Sequence, residues 1–305
     1  MSNKPIKVSA SRVKQLNSCS YIFYLKEVLK LPESVHPKTR VGSCLHAIME
    51  CLMKPKRKKD FDFILNNKFV LSDYPNIIRL IRAYAFKYNL DSSLTDPIEE
   101  MVETVFLAIR PYFLENPNLN YTVEERFQIK VGDAEISGFI DLLIRLPDRW
   151  VIIDYKTQGK RFTANELKDN IQAAVYQLAV WMKYKEKSTV EFIMARHPPT
   201  KRTPEKHIQR VNSYEFEHLI GLQDYIKWLY GIVQNFSLQD AYSNFCKDKG
   251  FCTYVCQFKN KFDYRVVLNK DTREQISSYF LDEEIKLGEN EVIEERSYGG
   301  CPLWN

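Results

Sequence analysis

The clearest chemical signal lies in two predicted strands that each carry charge near their end. The run GFID ends at Asp141, and the run WVIIDYKT carries Asp154 and Lys156. Alternate side chains of a strand share a face, so Asp154 and Lys156 are predicted to point the same way, opposite to Tyr155. Burying a charged pair after a run as apolar as WVII is costly unless something is bound there.

A turn at Pro147-Asp148 separates these two runs and would place them side by side. Two carboxylates at strand ends are suitable oxygen ligands for Mg²⁺ or Mn²⁺. A lysine beside them can orient or deprotonate a water and stabilise charge that develops on a phosphate. Asp141, Asp154 and Lys156 therefore predict metal-assisted phosphodiester hydrolysis. The alternative interpretation is a salt bridge at the sheet rim and an aspartate that caps a turn.

The elements that would position these residues are helices at first and strands later. Residues 43–53 and several segments between 54 and 118 have helical periodicity, whereas short apolar or alternating runs begin at residue 121. An amphipathic helix is predicted over 164–185, and a buried strand over 189–197. The pattern predicts a mixed α/β protein with a helical elaboration.

Composition excludes several classes of protein. The 305 residues contain 44 Lys and Arg against 39 Asp and Glu, which permits a nucleic-acid partner without requiring one. No run approaches the roughly 20 apolar residues that a membrane span needs. The opening segment MSNKPIKVSASR lacks an apolar signal core, so we expect a cytoplasmic location, or the host cytoplasm for a viral protein.

The cysteines fall into two groups. Seven cysteines without a signal segment argue against a disulfide framework. Cys44 and Cys51 share one face of a predicted helix and are expected in the core. Cys246, Cys252 and Cys256 lie close together in FCKDKGFCTYVC, a spacing better suited to ligands of a soft metal centre.

Four short motifs, taken in order, resemble the PD-(D/E)xK nucleases. The resemblance is to the RecB-like branch, which includes bacterial helicase-nuclease domains, CRISPR-associated exonucleases and phage exonucleases. The motifs are G-x-x-x-H (Gly42 to His46), G-x-x-D (Gly138 to Asp141), D-x-K (Asp154 to Lys156) and Q-x-x-x-Y (Gln172 to Tyr176). Each motif is weak alone, but four in the family's order are specific, and the resemblance covers about Ser9 to Cys256.

The resemblance implies a restriction-endonuclease-like α/β core, with a central mixed sheet flanked by helices, a helical insertion and a cysteine-ligated cluster. Four segments are expected on this basis. They are N-terminal helices (1–53), a helical insertion (54–118), a nuclease core (119–240) and a C-terminal cysteine segment with a tail (241–305).

The resemblance also implies roles for the matching residues. His46, Asp141 and Asp154 would ligate the divalent metal, and the backbone carbonyl of Tyr155 would be a further ligand. Lys156 would position and activate the water. Outside this family context, a histidine on a Met- and Cys-lined helix such as that of His46 is more often part of the core.

Two further positions complete the expected site. Gln172 and Tyr176 lie one helical turn apart on one face, where they would contact the DNA backbone or support the lysine. Core packing is the alternative for both. Glu124 or Glu125 resembles an acidic position that often accompanies this site; the two neighbours leave the assignment open, and Glu125 is the residue predicted here.

The N-terminal segment looks like the subfamily that carries an iron-sulfur cluster. The resemblance implies that Cys19 joins Cys246, Cys252 and Cys256 around a structural [4Fe-4S] cluster. The x5-then-x3 spacing departs from the commonest order, in which the close pair comes first. Zinc is the competing metal, because four thiolates also suit it, and Cys301 is the reserve fourth ligand.

The expected function is a sequence-nonspecific, metal-dependent deoxyribonuclease, an exonuclease in recombination, repair or phage DNA metabolism. Its expected substrate is single-stranded DNA or DNA with free ends. The chain contains no G-x-x-x-x-G-K-[ST], so a helicase or recombination protein is an expected partner. A noncatalytic DNA-binding or assembly subunit and an RNA-directed nuclease are the alternatives. Basic residues that could neutralise phosphates, or form a solvated face, are Lys54, Lys56, Arg57, Lys58, Lys59, Lys201, Arg202, Lys206 and Arg210.

Overall fold

The computed structural model describes residues 9–34, 37–66, 71, 74–116, 118–245, 252 and 256–304. The chain divides into two compact units. The larger unit comprises Val35–Lys130 and Ile136–Asp224, and the smaller comprises Met1–Ser34, Val131–Glu135 and Tyr225–Asn305.

The helices and strands follow the order expected from the sequence until residue 241. The α-helices are α1 (Ala10–Ser18), α2 (Ser20–Phe23), α3 (Pro37–Met53), α4 (Lys58–Asn66), α5 (Pro75–Lys87), α6 (Ser92–Glu115), α7 (Ala164–Lys168), α8 (Ile171–Tyr184), α9 (Phe216–Gln234) and α10 (Leu238–Ala241). The strands are β1 (Asn120–Val131), β2 (Ala134–Arg145), β3 (Trp150–Lys156), β4 (Ser188–Met194), β5 (Ile208–Val211), β6 (Phe262–Asn269), β7 (Gln275–Phe280) and β8 (Glu291–Tyr298). The described residues also include a π-helical segment (Tyr24–Val28) and a 3₁₀ turn (Pro55–Arg57).

The central sheet has the order β1-β2-β3-β4-β5. Strands β2 and β3 are antiparallel, β3 and β4 are parallel, and β4 and β5 are antiparallel, so the sheet is mixed. The predicted turn between β2 and β3 is present, with the Leu146 N–H donating to the Arg149 carbonyl at 2.9 Å. This sheet and its helices fit the expected restriction-endonuclease-like α/β core.

Helices α3 to α6 form the layer on one face of the sheet. Their buried apolar side chains share one core with sheet residues, such as Leu45 and Ile48 with Leu142 and Ile153. Tyr155 belongs to the same core, as the predicted alternation along β3 requires. Burial of this layer fixes α3 against the strands that carry the charged residues.

Helix α8 packs on β3 and β4 and presents its first turns to Asp154. The helix predicted over 164–185 is in fact two helices, because the Asn170 side chain caps α8 by accepting from the Ala173 N–H at 3.0 Å. Thr163 and Glu166 form a capping box on the preceding α7. The break places Gln172 in the first turn of α8.

The smaller unit contains α1, α2, α10 and an antiparallel sheet of order β7-β6-β8. The sequence analysis predicts only a cysteine segment and a tail over 241–305, so this sheet is a finding of the structure. Cys19 lies at the break between α1 and α2, in extended conformation (φ −161°), rather than inside a continuous helix. Among the described residues, no helix combines the length and apolarity needed to cross a bilayer.

Candidate functional site

Asp141 lies where the ladder between β2 and β3 ends. The last paired residues in this direction are Leu142 and Ile153. Past this pair, the Tyr155 N–H donates to Asp141 Oδ2 at 2.7 Å. The aspartate side chain therefore takes the place of a backbone carbonyl as the acceptor for this N–H. The buried Asp141, of which only 6% is exposed, is thereby fixed at the point where the two strands diverge.

His46 on α3 contacts the same carboxylate. Its Nδ1 lies 3.0 Å from Asp141 Oδ1, and its Nε2 lies 3.1 Å from the Tyr155 carbonyl oxygen. Both partners are acceptors, so the ring donates to both only when doubly protonated. Burial lowers the pKa of His46, but the charge and hydrogen bond of Asp141, with the charges of Asp154 and Glu124, together outweigh this and raise it to about 9. Gly42, one turn earlier, lets α3 approach Thr157, whose Oγ1 would lie 3.1 Å from an added Cβ.

Glu124 completes a cluster of potential metal ligands. Ligand atoms of His46, Glu124 and Asp141 all lie within 4.8 Å of one another. Burial, with the negative charge of Asp141, raises the pKa of Glu124 to about 7. The cluster opens into a cleft of about 550 Å³ whose lining includes Gly42, His46, Glu124 and Thr157.

Glu125, the acidic residue predicted for the site, is not part of this cluster; its carboxylate pairs with Lys183. The buried positions of β1, from Phe127 onward, alternate strictly along the strand. Glu124 interrupts this alternation because its backbone is left-handed, with φ of 52°. A residue in this conformation acts like a β-bulge and re-aims its side chain. Nothing in the two adjacent glutamates signals it, since non-glycine residues seldom adopt positive φ.

Asp154 forms a second polar group on the α8 side. Its Oδ1 accepts from Gln172 Nε2 at 2.9 Å and from the Tyr176 hydroxyl at 3.1 Å, and its Oδ2 lies 2.6 Å from Lys156 Nζ. Lys156 Nζ also donates to Gln172 Oε1 at 2.9 Å. Burial raises the pKa of Asp154, and the Lys156 charge opposes this rise.

Aromatic packing holds this group in place. The Tyr176 ring meets Phe127 edge-on, with centroids 5.9 Å apart. Burial and the charge of Asp154 raise the pKa of Tyr176, which keeps its hydroxyl protonated as a donor. A Cβ on Gly138 would lie 2.7 Å from the Phe127 ring, so the glycine of the G-x-x-D motif leaves room for that ring.

The structure therefore brings the residues of all four motifs into one region of the larger unit. His46, Asp141 and the Tyr155 carbonyl meet as expected, whereas Asp154 is not among the three side chains whose ligand atoms lie within 4.8 Å. Oxygen and imidazole donors are the set that Mg²⁺ or Mn²⁺ accepts. His46, when protonated, is the cation that faces the Asp141 charge in this structure, and its ligating nitrogen must lose its proton before it can bind a metal ion. A divalent ion would fit, since it could compensate the same negative charge.

The cysteines form a different kind of site in the smaller unit. Cys19, Cys252, Cys256 and Cys301 line one small pocket together with apolar and aromatic residues that include Tyr21 and Phe258. Cys246, the remaining predicted ligand, lies outside the described residues. Four thiols in apolar surroundings fit a soft metal centre.

Four of the basic residues singled out from the sequence pair with acidic side chains: Lys54, Arg57, Lys58 and Arg210. Lys54 lies 2.5 Å from Glu50, and Arg57 and Lys58 pair with Asp60 and Asp62.

Arg210 donates to Glu191 at 2.7 Å and to Glu205 at 3.0 Å. Lys201 and Arg202 are exposed in the loop after β4. Contact of these residues with phosphates stays a prediction.

Comparison with known proteins gives relatives consistent with this site. The family model of the PD-(D/E)XK nuclease superfamily matches residues 7–261. A subunit of the ATP-dependent helicase/deoxyribonuclease of Streptococcus mutans is 26% identical over 165 residues, which cover 52% of this chain and 15% of that protein. The corresponding protein of Streptococcus suis is 22% identical over 185 residues, covering 56% and 16%. The chain thus spans less than a fifth of the length of these relatives.

A solved structure of a candidate exonuclease from Eubacterium rectale is 15% identical. The alignment covers 75% of this chain and 82% of that one, with a TM-score of 0.45. The family match is the decisive comparison, because residues 7–261 include all four motifs and the strands that carry them. On that match, the chain belongs to the PD-(D/E)XK nuclease superfamily.

Proposed function

We propose that this chain is a divalent-metal-dependent deoxyribonuclease that hydrolyses phosphodiester bonds without sequence specificity. One observation carries the proposal: ligand atoms of His46, Glu124 and Asp141 lie within 4.8 Å of one another. The Asp154–Lys156 pair, at 2.6 Å, follows on the neighbouring strand. The ligand cluster would hold the ion, and the lysine can stabilise charge that develops on the phosphate.

The residues divide into those that would hold the ion and those that would serve the phosphate. His46, Glu124 and Asp141, with Asp154 and the Tyr155 carbonyl, would hold Mg²⁺ or Mn²⁺. When bound, the ion supplies a water of lowered pKa and neutralises charge on the phosphate.

Lys156 is the group of the chain that would face the reacting water or a phosphate oxygen. Its ammonium is held between Asp154 and Gln172, so it is oriented before substrate arrives. Gln172 and Tyr176 both donate to Asp154 Oδ1 and fix that carboxylate.

Basic residues next to Lys156 favour contact with a nucleic-acid backbone. Strands β3 and β4 are parallel, and Lys156 pairs with Met194 at their carboxyl ends. The chain segments that follow β3 and β4 are held together by a hydrogen bond, in which Arg196 Nε donates to the Thr157 carbonyl at 2.8 Å. Exposed cations on these segments are Lys160, Arg161, Arg196, Lys201 and Arg202. Such contacts position DNA without reading its sequence.

Exonucleolytic action on single strands or free ends, in recombination, repair or phage DNA metabolism, is the finer part of the proposal. The streptococcal relatives are named as helicase/deoxyribonuclease subunits, which supports action on DNA beside a helicase. A helicase or recombination protein would be the partner, since the chain has no P-loop sequence of its own. We further propose that the cysteine pocket holds a structural [4Fe-4S] cluster.

The test is cleavage of end-labelled single- and double-stranded DNA with Mg²⁺ or Mn²⁺. Lys156→Ala and Asp154→Ala are expected to lower the rate by about 10²- to 10³-fold, the usual cost of removing one charge-stabilising group. Lys187→Ala, an exposed lysine that pairs with Glu215 at 3.6 Å, is the matched control and should cleave normally. The pattern of label release gives polarity and separates exonuclease from endonuclease.

Failure has a defined meaning. If wild-type protein with its metals and cluster cleaves neither DNA substrate, the deoxyribonuclease proposal is wrong. Binding without cleavage would then indicate a noncatalytic DNA-binding protein. Cleavage of matched RNA alone would indicate an RNA-directed enzyme instead.

A further inference from the structure

We propose that Cys301 is a ligand of the cysteine-bound metal centre, together with Cys19, Cys252 and Cys256. These four residues line one pocket of the smaller unit. The resemblance implied Cys246 as the fourth ligand; Cys246 lies outside the described residues, and Cys301 is the thiol that the structure places in one pocket with the other three. The inference rests on the proposed function only in that it presumes a metal centre in this pocket.

The backbone holds Cys301 beside Cys256 through a single intermediate residue. The Cys301 N–H donates to the Lys259 carbonyl at 3.2 Å, and the Lys259 N–H donates to the Cys256 carbonyl at 3.3 Å. Two ligands fixed to one short turn keep a constant separation, which is the preorganisation that a metal site needs.

The segment after Cys301 closes the same pocket. The Trp304 N–H donates to the Cys301 carbonyl at 2.9 Å, which forms a tight turn. Lys259 Nζ lies 4.3 Å from the centre of the Trp304 ring, a cation–π contact. Leu303 and Trp304 both line the pocket, so this turn supplies apolar cover as well as a thiol.

The three-stranded sheet explains how a residue so far along the chain reaches the pocket. Tyr298, the last residue of β8, pairs with Phe262 of β6, and its hydroxyl donates to the Phe258 carbonyl at 3.1 Å. Gly300 then turns the chain with φ of 93°, a conformation accessible to glycine. Strand β6 starts shortly after Cys256, and the antiparallel strand β8 returns to the same end of the sheet just before Cys301. The sheet therefore positions Cys301 next to the Cys256 turn.

The experiment compares metal content in anaerobically purified proteins. Cys301→Ser is expected to lose most of the bound iron and acid-labile sulfide, together with the visible absorption of the cluster. Cys246→Ser is expected to keep them. Cys51→Ser is the matched control, because Cys51 lies on α3 and contacts Tyr84 in the larger unit. Iron retained in Cys301→Ser but lost in Cys246→Ser would overturn the proposal.

A second measurement uses wild-type protein and does not depend on the variant folding. Cys301 is partly exposed, as is Cys51. In iron-loaded protein, Cys301 should resist alkylation by iodoacetamide while Cys51 reacts, as read by peptide mass spectrometry. Oxidative removal of the cluster should make Cys301 reactive. Alkylation of Cys301 as fast as Cys51 in loaded protein would overturn the inference.

The outcomes separate this inference from the proposed function. Wild-type protein with zinc and no iron would refute the [4Fe-4S] cluster, and loss of that zinc in Cys301→Ser would still support the ligand assignment. Wild-type protein with neither metal would overturn the assignment. Nuclease activity is judged independently, by the Lys156 and Asp154 variants.

Discussion

The two candidate metal sites of this chain differ in ligand chemistry and in access. The carboxylate site uses His46, Glu124 and Asp141, hard oxygen and imidazole donors beside an open cleft of about 550 Å³. The pocket of the smaller unit offers thiols, of which Cys19 and Cys252 are almost fully buried. Hard donors suit Mg²⁺ or Mn²⁺, whereas thiolates suit iron-sulfur clusters and zinc.

This difference is the one expected if the cleft takes an exchangeable ion and the cysteine pocket a permanently bound one, as proposed above. A catalytic site must leave room for substrate and water, while a structural site is closed by its own ligands. The open site is built on α3 and β1 to β3, which one core fixes rigidly. The cysteine pocket brings together thiols from distant parts of the sequence, 19 to 301, so a metal bound there would restrict the unfolded chain.

Chelation should give the largest contrast between the sites. Incubation with EDTA is expected to abolish DNA cleavage, because hard ions in an open cleft exchange freely, while iron at the cysteine pocket remains bound. Added Mg²⁺ should then restore cleavage. The measurements are the rate of label release and the iron content of the same sample.

An untreated sample and one given EDTA already saturated with Ca²⁺ serve as controls for chelation. Cleavage that persists after complete chelation would contradict the metal-dependent mechanism. Loss of iron on the same timescale as loss of cleavage would contradict the division into an exchangeable and a permanent site.

Asp141→Asn should have the next largest effect. The amide keeps the shape of the side chain but removes one negative charge from the ligand cluster. We expect DNA cleavage to fall by about 10²- to 10³-fold, with iron content unchanged. Isothermal titration with Mn²⁺ should show weaker binding, and circular dichroism should show an intact fold; normal cleavage would remove Asp141 from the site.

Much of this architecture could be predicted from sequence because its signals are local. The alternation of β3 correctly places Tyr155 in the core with α3, and Asp154 beside α8. The turn between β2 and β3 was marked by Pro147. The four motifs could identify the residues that meet, since each lies within one helix or strand.

The remaining features depend on contacts that no local pattern records. The left-handed backbone of Glu124 turns its side chain, not that of Glu125, toward Asp141. The sheet β7-β6-β8 was not predicted from the sequence. Its strand β7 (QISSYF) has no fully buried residue, and its few apolar side chains give only a weak alternation of apolar and polar positions. The cap at Asn170 splits a helix whose apolar periodicity continues across the break.

The two adjacent glutamates offer a sharper test of the carboxylate site. Glu124→Gln should reduce cleavage at limiting Mn²⁺ by about 10- to 100-fold, as expected when a group that tunes a metal site is changed. Glu125→Gln breaks only a surface pair with Lys183, a contact worth at most about 1 kcal/mol, and should cleave normally. The measurement is rate against Mn²⁺ concentration; equal effects of the two substitutions would refute the assignment of Glu124.

Gly138→Ala should have the smallest effect, and it tests packing rather than charge. The new Cβ would lie 2.7 Å from the Phe127 ring, which packs against Tyr176, the donor to Asp154. Overpacking of this kind costs about 1–3 kcal/mol in the free energy of unfolding, and cleavage by the folded fraction should fall only a few-fold. Gly159→Ala is the matched control, since no atom lies within 4 Å of its added Cβ. Urea unfolding measures both variants, and equal stability would mean that Phe127 can move without disturbing the hydrogen bond from Tyr176 to Asp154.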